Sequence, residues 1–229
     1  MSIRTVLITG GTGGLGPTVV KRLLDDGYRC VVVYRTEDKW QELQQEIQHD
    51  LLQGVEADLR EEDAVAAAVA QARDLDNGLY GLVHLAGGFD GGAVEDTSIE
   101  SWTTMLHTNL TSAFVVARAA LPHLKANGTG RIITIGSAEV PKRSAGVAAY
   151  TVSKAALAVF TEVLANDLKN SKVTANILLA GSLGTAEMRQ AMNNNKLVSL
   201  DRVAATIAFL LSDEAASITG ASIPVTVTG

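Results

Sequence analysis

A single cysteine, Cys30, stands in a chain of 229 residues. An internal disulfide and a thiolate metal cluster are therefore both excluded. Cys30 sits in the apolar run Cys30-Val31-Val32-Val33 and reads as a small buried side chain rather than a nucleophile. Basic residues are few: 19 against 25 acidic ones, a formal charge of −6. That balance argues against nucleic acid or an anionic membrane surface as the main partner. Long hydrophobic runs are missing as well. No uninterrupted apolar stretch reaches the roughly 18 residues of a membrane span, and a strand-like run begins at once, so neither a span nor a signal peptide is expected. A reducing cytoplasm is the expected compartment. The chain is rich instead in hydrophobic residues (47%) and glycine (21 residues). Its length suits one α/β domain with a substantial core.

Residues 4–9 form a short β-branched run and read as a buried first strand. Thr9-Gly10-Gly11-Thr12-Gly13-Gly14-Leu15-Gly16 follows, and then a helical pattern to Asp26. Glycines at such a turn let the backbone approach a pyrophosphate, and the helix N-terminus offers free N–H groups and a positive dipole end. A merely flexible turn would show the same glycines. Residues 29–34 read as a second strand, ending in Tyr34-Arg35-Thr36. In dinucleotide sites a carboxylate at this tip bonds the ribose, whereas an arginine accommodates a 2′-phosphate. Here the tip has no acid and a cation follows, although Arg35 could equally be a solvated surface charge. Strands over 51–57, 80–86, 131–135, 173–179 and 222–227 alternate with helices over 40–50, 61–74, 106–125, 149–169 and 200–212; Ser98 caps a further helical segment from Ile99. Alternation of this kind predicts a single doubly wound parallel sheet of about seven strands with helices on both faces, a Rossmann fold over the whole chain. Ligands in such sheets lie outside the carboxyl ends of the strands. The glycine-rich turn, Arg35, Asp58, Gly87, Ser137 and Gly181 all fall at those ends.

Tyr150 and Lys154 are four residues apart in Tyr150-Thr151-Val152-Ser153-Lys154 and share a helix face. A cation beside a phenol favours the phenolate and lowers a pKa that is ordinarily about 10. A general acid/base results. Ser137, thirteen residues before Tyr150, supplies a hydroxyl for a carbonyl oxygen that gains charge. By spacing alone, Tyr150 and Lys154 could also be an ordinary amphipathic pair.

Over essentially its full length the chain resembles the short-chain dehydrogenase/reductase family. Thr9-Gly10-x-x-x-Gly14-x-Gly16 resembles the family's cofactor motif, Asp58 the aspartate that holds adenine, and Ala86-Gly87 the end of its Asn-Asn-Ala-Gly motif. Asn109, Ser137, Tyr150 and Lys154 match its catalytic tetrad in order and spacing, and Ile218-Thr219-Gly220 its C-terminal signature. His84-Leu85 replaces the two asparagines, and Ala180-Gly181 the usual Pro-Gly, while Thr185 stands where the nicotinamide-amide threonine is expected. The resemblance implies a cofactor site built from Gly10, Thr12, Gly14, Leu15, Gly16, Arg35, Thr36, Asp58, Leu59, Ala86, Gly87, Gly88, Tyr150, Lys154, Gly181 and Thr185, with no metal. NADP(H) is the expected cofactor because of Arg35, with NAD(H) possible.

The resemblance implies hydride transfer to a carbonyl. Tyr150 gives the proton, Ser137 polarises the oxygen, Lys154, helped by the oxidised nicotinamide's charge, lowers the phenol pKa and binds the nicotinamide ribose, and Asn109 holds a relay water. The substrate lid, residues 185–199, is about ten residues shorter than is common. Met188 and Met192 share a face there, which either closes over a compact ligand or packs on the sheet. A small or cyclic carbonyl substrate is expected; Phe89, Trp102 and His123 are candidate lining residues. The loop Ala86-Gly87-Gly88-Phe89-Asp90-Gly91-Gly92, the short lid and the Val225-Thr226-Val227-Thr228-Gly229 ending also resemble dihydropteridine reductases, which implies a quinonoid pterin as an alternative substrate. A 3-oxoacyl thioester is a further alternative, and a non-enzymatic NADP-binding sensor is the reading from another class. Small residues on the helices bearing Asn109 and Tyr150, with the resemblance, imply a homotetramer or homodimer.

Overall fold

The structure, a computed structural model, describes residues 3–191 and 196–227. Seven strands, β1 (Thr5–Thr9), β2 (Arg29–Tyr34), β3 (Leu52–Glu56), β4 (Leu79–His84), β5 (Gly130–Ser137), β6 (Val173–Ala180) and β7 (Ser222–Val225), form one sheet in the order β3-β2-β1-β4-β5-β6-β7. Every pairing is parallel. Parallel strands need crossovers, and these cover both faces. That is why β1, β4 and β5 are buried along their whole length rather than alternating.

The crossovers are α1 (Gly16–Asp25), α2 (Glu37–Glu46), α3 (Glu62–Arg73), α4 (Ile99–Leu106), α5 (Ser112–Ala126), α6 (Glu139–Lys142), α7 (Ala148–Asp167), α8 (Ala186–Ala191) and α9 (Leu200–Leu211). On one face α1, α2 and α9 bury Val19, Leu23, Trp40, Leu43, Ile207 and Leu211 against the sheet. On the other, α3, α5 and α7 bury Val65, Val69, Val116, Leu124 and Leu164. Cys30 is wholly buried among the first set, where desolvation pushes its thiol pKa up, as suits a packing residue. Helix α7 is long and apolar enough to cross a membrane by composition, yet 44% of that window is buried in the protein and the helix lies on β5 and β6.

Three local features depart from the expected elements. Helix α2 begins at Glu37, three residues early, because Glu37 and Asp38 favour the positive end of a helix. Helix α6, unforeseen, forms a single turn after β5 and ends with Arg143 in the left-handed region at φ 54°. Between α4 and α5, residues His107–Thr111 run as a π turn. Such turns carry one residue too many for the helical repeat and are found at functional sites. Asn109 lies in this turn and is fully buried. Ser98 caps α4 as expected, its hydroxyl accepting from the Ser101 amide at 3.0 Å.

The His84-Leu85 departure has a structural answer. Buried His84 bridges the end of β1 to the start of α5: Nδ1 lies 2.8 Å from Thr9 Oγ1 and Nε2 3.3 Å from Ser112 Oγ. The Ser112 hydroxyl donates to the Thr108 carbonyl at 2.8 Å, so it accepts from Nε2–H, and Thr9 donates to Nδ1. The imidazole is thus neutral. Burial, and secondarily the Lys154 charge, depress its pKa from 6.5 to about 3. Between those values the unfolded chain binds a proton that the folded one refuses, so stability falls with acid across that window and gains no further slope below it. The group contributes a slope of about 1.4 kcal/mol per pH unit there. His84→Asn should give a flatter stability curve than the parent between pH 6.5 and 3 in urea melts. Parallel curves would show that His84 does not carry the acid sensitivity.

Candidate active site

Two adjoining hollows open at the carboxyl ends of the strands. The first, about 370 Å³, is lined by Gly10, Thr12, Arg35, Thr36, Asp58, Leu59, Ala86 and Gly87 among the expected residues. The turn between β1 and α1 fits a phosphate closely. Gly10 has φ +70°, and a Cβ there would stand 2.5 Å from the Ala86 amide nitrogen. Any side chain would close the gap between the two loops. Helix α1 follows with no side chain capping its first amides and no acid in its first turn. The positive end of its dipole is therefore unopposed, while Gly16 N donates to Gly13 O at 2.9 Å, Val19 N to Leu15 O at 3.3 Å and Pro17 has no N–H. Gly14, Leu15 and Gly16 form this helix entry rather than the walls of the hollow; Leu15 packs into the core, and Gly14 lies against the Thr185 methyl.

Arg35 is joined by a second cation. Lys39, one turn into α2, lines the same hollow. Tyr34 stacks on Trp40 with centroids 5.4 Å apart and planes 6° apart, which fixes the β2–α2 junction that presents both cations. Asp58 is clamped by Arg60, whose backbone amide and Nε each reach Oδ1 at 3.0 Å. These hydrogen bonds, with the Arg60 and Arg35 charges, bring the carboxyl pKa down to about 2. A phosphate-bearing, adenine-containing dinucleotide fits this arrangement: the positive end of α1, two cations past β2, and a permanently ionised acceptor past β3.

The second hollow, about 640 Å³, is lined by Gly87, Gly88, Phe89, Ser137, Glu139, Lys142, Tyr150, Lys154, Gly181, Thr185 and Met188, among others. Ser137, Tyr150 and Lys154 thus meet. Ser137 Oγ accepts from the Glu139 amide at 3.1 Å, which leaves its proton for the phenol, and the Ser137 hydroxyl bonds Tyr150. Lys154 Nζ donates to the Ile135 carbonyl at 2.8 Å. A Cβ on Gly87 would come within 2.9 Å of both Lys154 Nζ and Asn109 Oδ1, so only glycine admits both.

Asn109 acts one layer back. Its Oδ1 accepts from the Gly88 amide at 2.8 Å, and its Nδ2 donates to the Gly88 carbonyl at 3.1 Å and to Ser153 Oγ at 3.0 Å. Ser153 in turn donates to the Tyr150 carbonyl at 2.8 Å. One chain of bonds therefore fixes the loop after β4 to the first turn of α7. The Asn109 side chain is engaged with protein groups.

The electrostatics differ from one expectation. The Tyr150 pKa is raised rather than lowered in this arrangement: burial raises it, Ser137 lowers it in part, and the Glu139 charge raises it again. The ammonium is directed at Ile135 rather than at the phenol, and burial depresses its own pKa from 10.5 to about 8. Of the candidate lining residues only Phe89 lines the site. Trp102 lies on α4 and His123 in the last turn of α5. Met188 faces the hollow, which favours a lid that covers it; Met192 and residues 193–195 lie outside the described residues. The lid base is clasped by Gly184 N to Val198 O at 2.9 Å and Val198 N to Ser182 O at 2.7 Å. Lys39, Glu139, Lys142 and Ser153 were not anticipated. Only Lys39, one helical turn past Arg35, left a trace in the sequence.

The family described as short chain dehydrogenase matches residues 4–197. The chain is 29% identical over 238 residues to the acetoacetyl-CoA reductase of an Acinetobacter species, covering 97% of this chain and 96% of that protein. It is 30% identical over 236 residues to the 2,5-dichloro-2,5-cyclohexadiene-1,4-diol dehydrogenase of Sphingobium indicum, covering 97% and 94%. A variant of actinorhodin polyketide ketoreductase, solved with NADPH, superposes with a TM-score of 0.89 at 26% identity, over 98% of this chain and 96% of that one.

Removing the Asn109 amide orphans both Gly88 main-chain groups and takes away the donor that the Ser153 hydroxyl accepts from. Asn109→Ala should cost roughly 1–3 kcal/mol of stability in urea melts, the range for buried polar groups left unpaired. An unchanged midpoint would show that the clamp is not structural.

Proposed function

The chain belongs to the short-chain dehydrogenase family of nicotinamide-dependent oxidoreductases, and from that premise we propose that it is an NADPH-dependent reductase of small or cyclic carbonyl compounds. The observation that carries this reading is the meeting of Ser137, Tyr150 and Lys154 in one hollow beside the groove bearing Arg35 and Lys39. When bound, the cofactor supplies the hydride. Arg35, Lys39 and Thr36 hold its 2′-phosphate, Asp58 its adenine, and Gly87, Gly88, Gly181 and Thr185 shape the nicotinamide end. Lys154 donates to the nicotinamide ribose hydroxyls. Ser137 donates its free proton to the substrate carbonyl oxygen, and Tyr150 transfers its phenolic proton to the same oxygen as charge develops there. The phenol keeps its proton while a bound nicotinamide is reduced and neutral; the positive charge the ring would gain on losing hydride would oppose the effect of burial. Asn109 keeps the Tyr150 turn in register.

A 3-oxoacyl thioester reductase is the competing reading, favoured by the acetoacetyl-CoA reductase relative. The short lid favours a compact substrate instead, a quinonoid pterin among them. An intact Ser137–Tyr150–Lys154 set argues against a non-enzymatic sensor. We also propose a cytoplasmic homodimer or homotetramer formed through α5 and α7. Of the small residues on these helices, Ala113, Val116, Ala117, Ala120 and Ala165 face the core, whereas Phe114, Val152, Val159 and Val163 remain exposed. Ordered apolar exposure of this kind marks an interface. Light scattering at micromolar concentration should give a multiple of 24.0 kDa; a monomer contradicts it.

Tyr150→Phe keeps the ring and removes the proton. Turnover with NADPH and activated ketones should fall at least about a hundredfold, with cofactor affinity little changed. Near-normal turnover would sink the assignment. Arg35→Ala should lower the NADPH-over-NADH ratio of kcat/KM about tenfold or more, equivalent to roughly 1.4 kcal/mol. Lys39→Ala should act in the same direction. A parent enzyme that prefers NADH, indifferent to Arg35→Ala, would overturn the cofactor reading.

A further inference from the structure

The substrate hollow has two walls that the family motifs do not account for. Phe89, in the loop after β4, lines it and remains 67% exposed. Its ring meets Tyr150 edge-on, with centroids 5.0 Å apart and planes at 68°. A Cβ at Gly91 would stand 3.6 Å from the ring Cζ, so the loop passes close to the ring. A phenyl ring in edge contact with the proposed acid and exposed on its open side offers a flat partner to another ring.

The second wall is α6. Glu139 is the one carboxylate among the described residues lining this hollow. Lys142 Nζ lies 3.2 Å from Oε1. Ser144 and Lys142 hold the carboxyl below its ordinary pKa, so it is ionised and accepts hydrogen bonds without donating any. Its charge reaches Tyr150, since it raises the phenol pKa. The two walls are tied together: Gly92 N donates to Gly146 O at 2.7 Å, and Gly92 forms a bridge with Val147. The loop bearing Phe89 and the segment following Glu139 therefore hold a common position around Tyr150.

We propose that Phe89 and Glu139 are the specificity-determining residues of this hollow, and that they select a planar cyclic carbonyl compound carrying an N–H or O–H donor on its ring. The inference rests on the reductase reading above. A flat ring covers Phe89 while its carbonyl reaches Ser137 and Tyr150, and its donor meets the Glu139 carboxylate. A long acyl chain covers the aromatic face poorly and brings apolar surface against an ion pair without satisfying it.

The test uses the full chain with NADPH and three carbonyl compounds: isatin, which is planar with a ring N–H on the lactam carbon that adjoins its ketone; N-methylisatin, which lacks the donor; and an acetoacetyl N-acetylcysteamine thioester. Isatin should exceed N-methylisatin in kcat/KM by about tenfold, the loss expected for one hydrogen bond to a charged group. Glu139→Ala should level the two, while Glu139→Gln, which keeps an acceptor, should retain part of the difference. Phe89→Ala should lower kcat/KM for both isatins about tenfold more than for the thioester, with Phe89→Tyr restoring the difference. Urea melts confirm that each variant is folded. A preference for the thioester, or equal losses on all three compounds in Phe89→Ala, overturns this proposal and leaves the reductase reading standing. Turnover of none of the three overturns both.

Discussion

The buried Lys154 ammonium sets the terms for the rest of the site. A charge this deep costs free energy unless it is paired and hydrogen-bonded. Among the described residues it has no ion pair and only the Ile135 carbonyl as hydrogen-bond partner. Its surroundings accommodate that shortage. Gly87 has no side chain to crowd the ammonium. His84 stays neutral, since its own cation would be buried near another. Two of the three ammonium protons are left for ligands that bring oxygen, and ribose hydroxyls are such ligands. An under-satisfied cation of this kind is a binding determinant before it is an electrostatic catalyst.

The same burial explains why the phenol is held back. Tyr150 is surrounded closely enough for desolvation to outweigh the Ser137 hydrogen bond. Its ordinary acidity is therefore not improved by the protein alone, and the proposed chemistry draws on the positive charge that the nicotinamide would gain as it gives up hydride. Geometry is prepared in advance instead. The Gly88–Asn109–Ser153–Tyr150 chain fixes the helix turn, and the Glu139 amide orients the Ser137 hydroxyl. Preorganised donors of this sort need no rearrangement as charge moves onto the substrate oxygen. The cofactor groove is prepared differently, by two cations past β2 and a clamped Asp58 past β3, so recognition there is electrostatic and hydrogen-bonded.

The parallel sheet and the site's place at the carboxyl rim were legible because such a sheet writes itself as alternating β-branched runs and helices, with glycine at the turns. Gly10, Arg35, Asp58, Ser137 and Gly181 could be placed by counting from strand ends. What was not legible depended on burial or on contacts distant in sequence. The sign of the Tyr150 shift requires knowing where the Lys154 ammonium points, and the i,i+4 spacing gives only the shared face. The π turn has no periodic signature in a segment that reads as continuous helix. Glu139 lies in the stretch between Ser137 and Tyr150 that the motif leaves open, and its meaning appears only when α6 folds over the hollow. His84 read as a departure from a motif; its bonds to Thr9 and Ser112 show what replaced the missing asparagine.

The central claim is that the acidity of Tyr150 arrives with the oxidised cofactor rather than residing in the protein. It is tested by titrating tyrosinate absorbance in the parent minus Tyr150→Phe, with and without saturating NADP⁺. The account predicts that the cofactor-free difference signal titrates above the ordinary value of 10.0 and that NADP⁺ moves it down by about one unit or more. A cofactor-free protein that already forms tyrosinate near neutral pH, or a titration that NADP⁺ leaves unmoved, would contradict it.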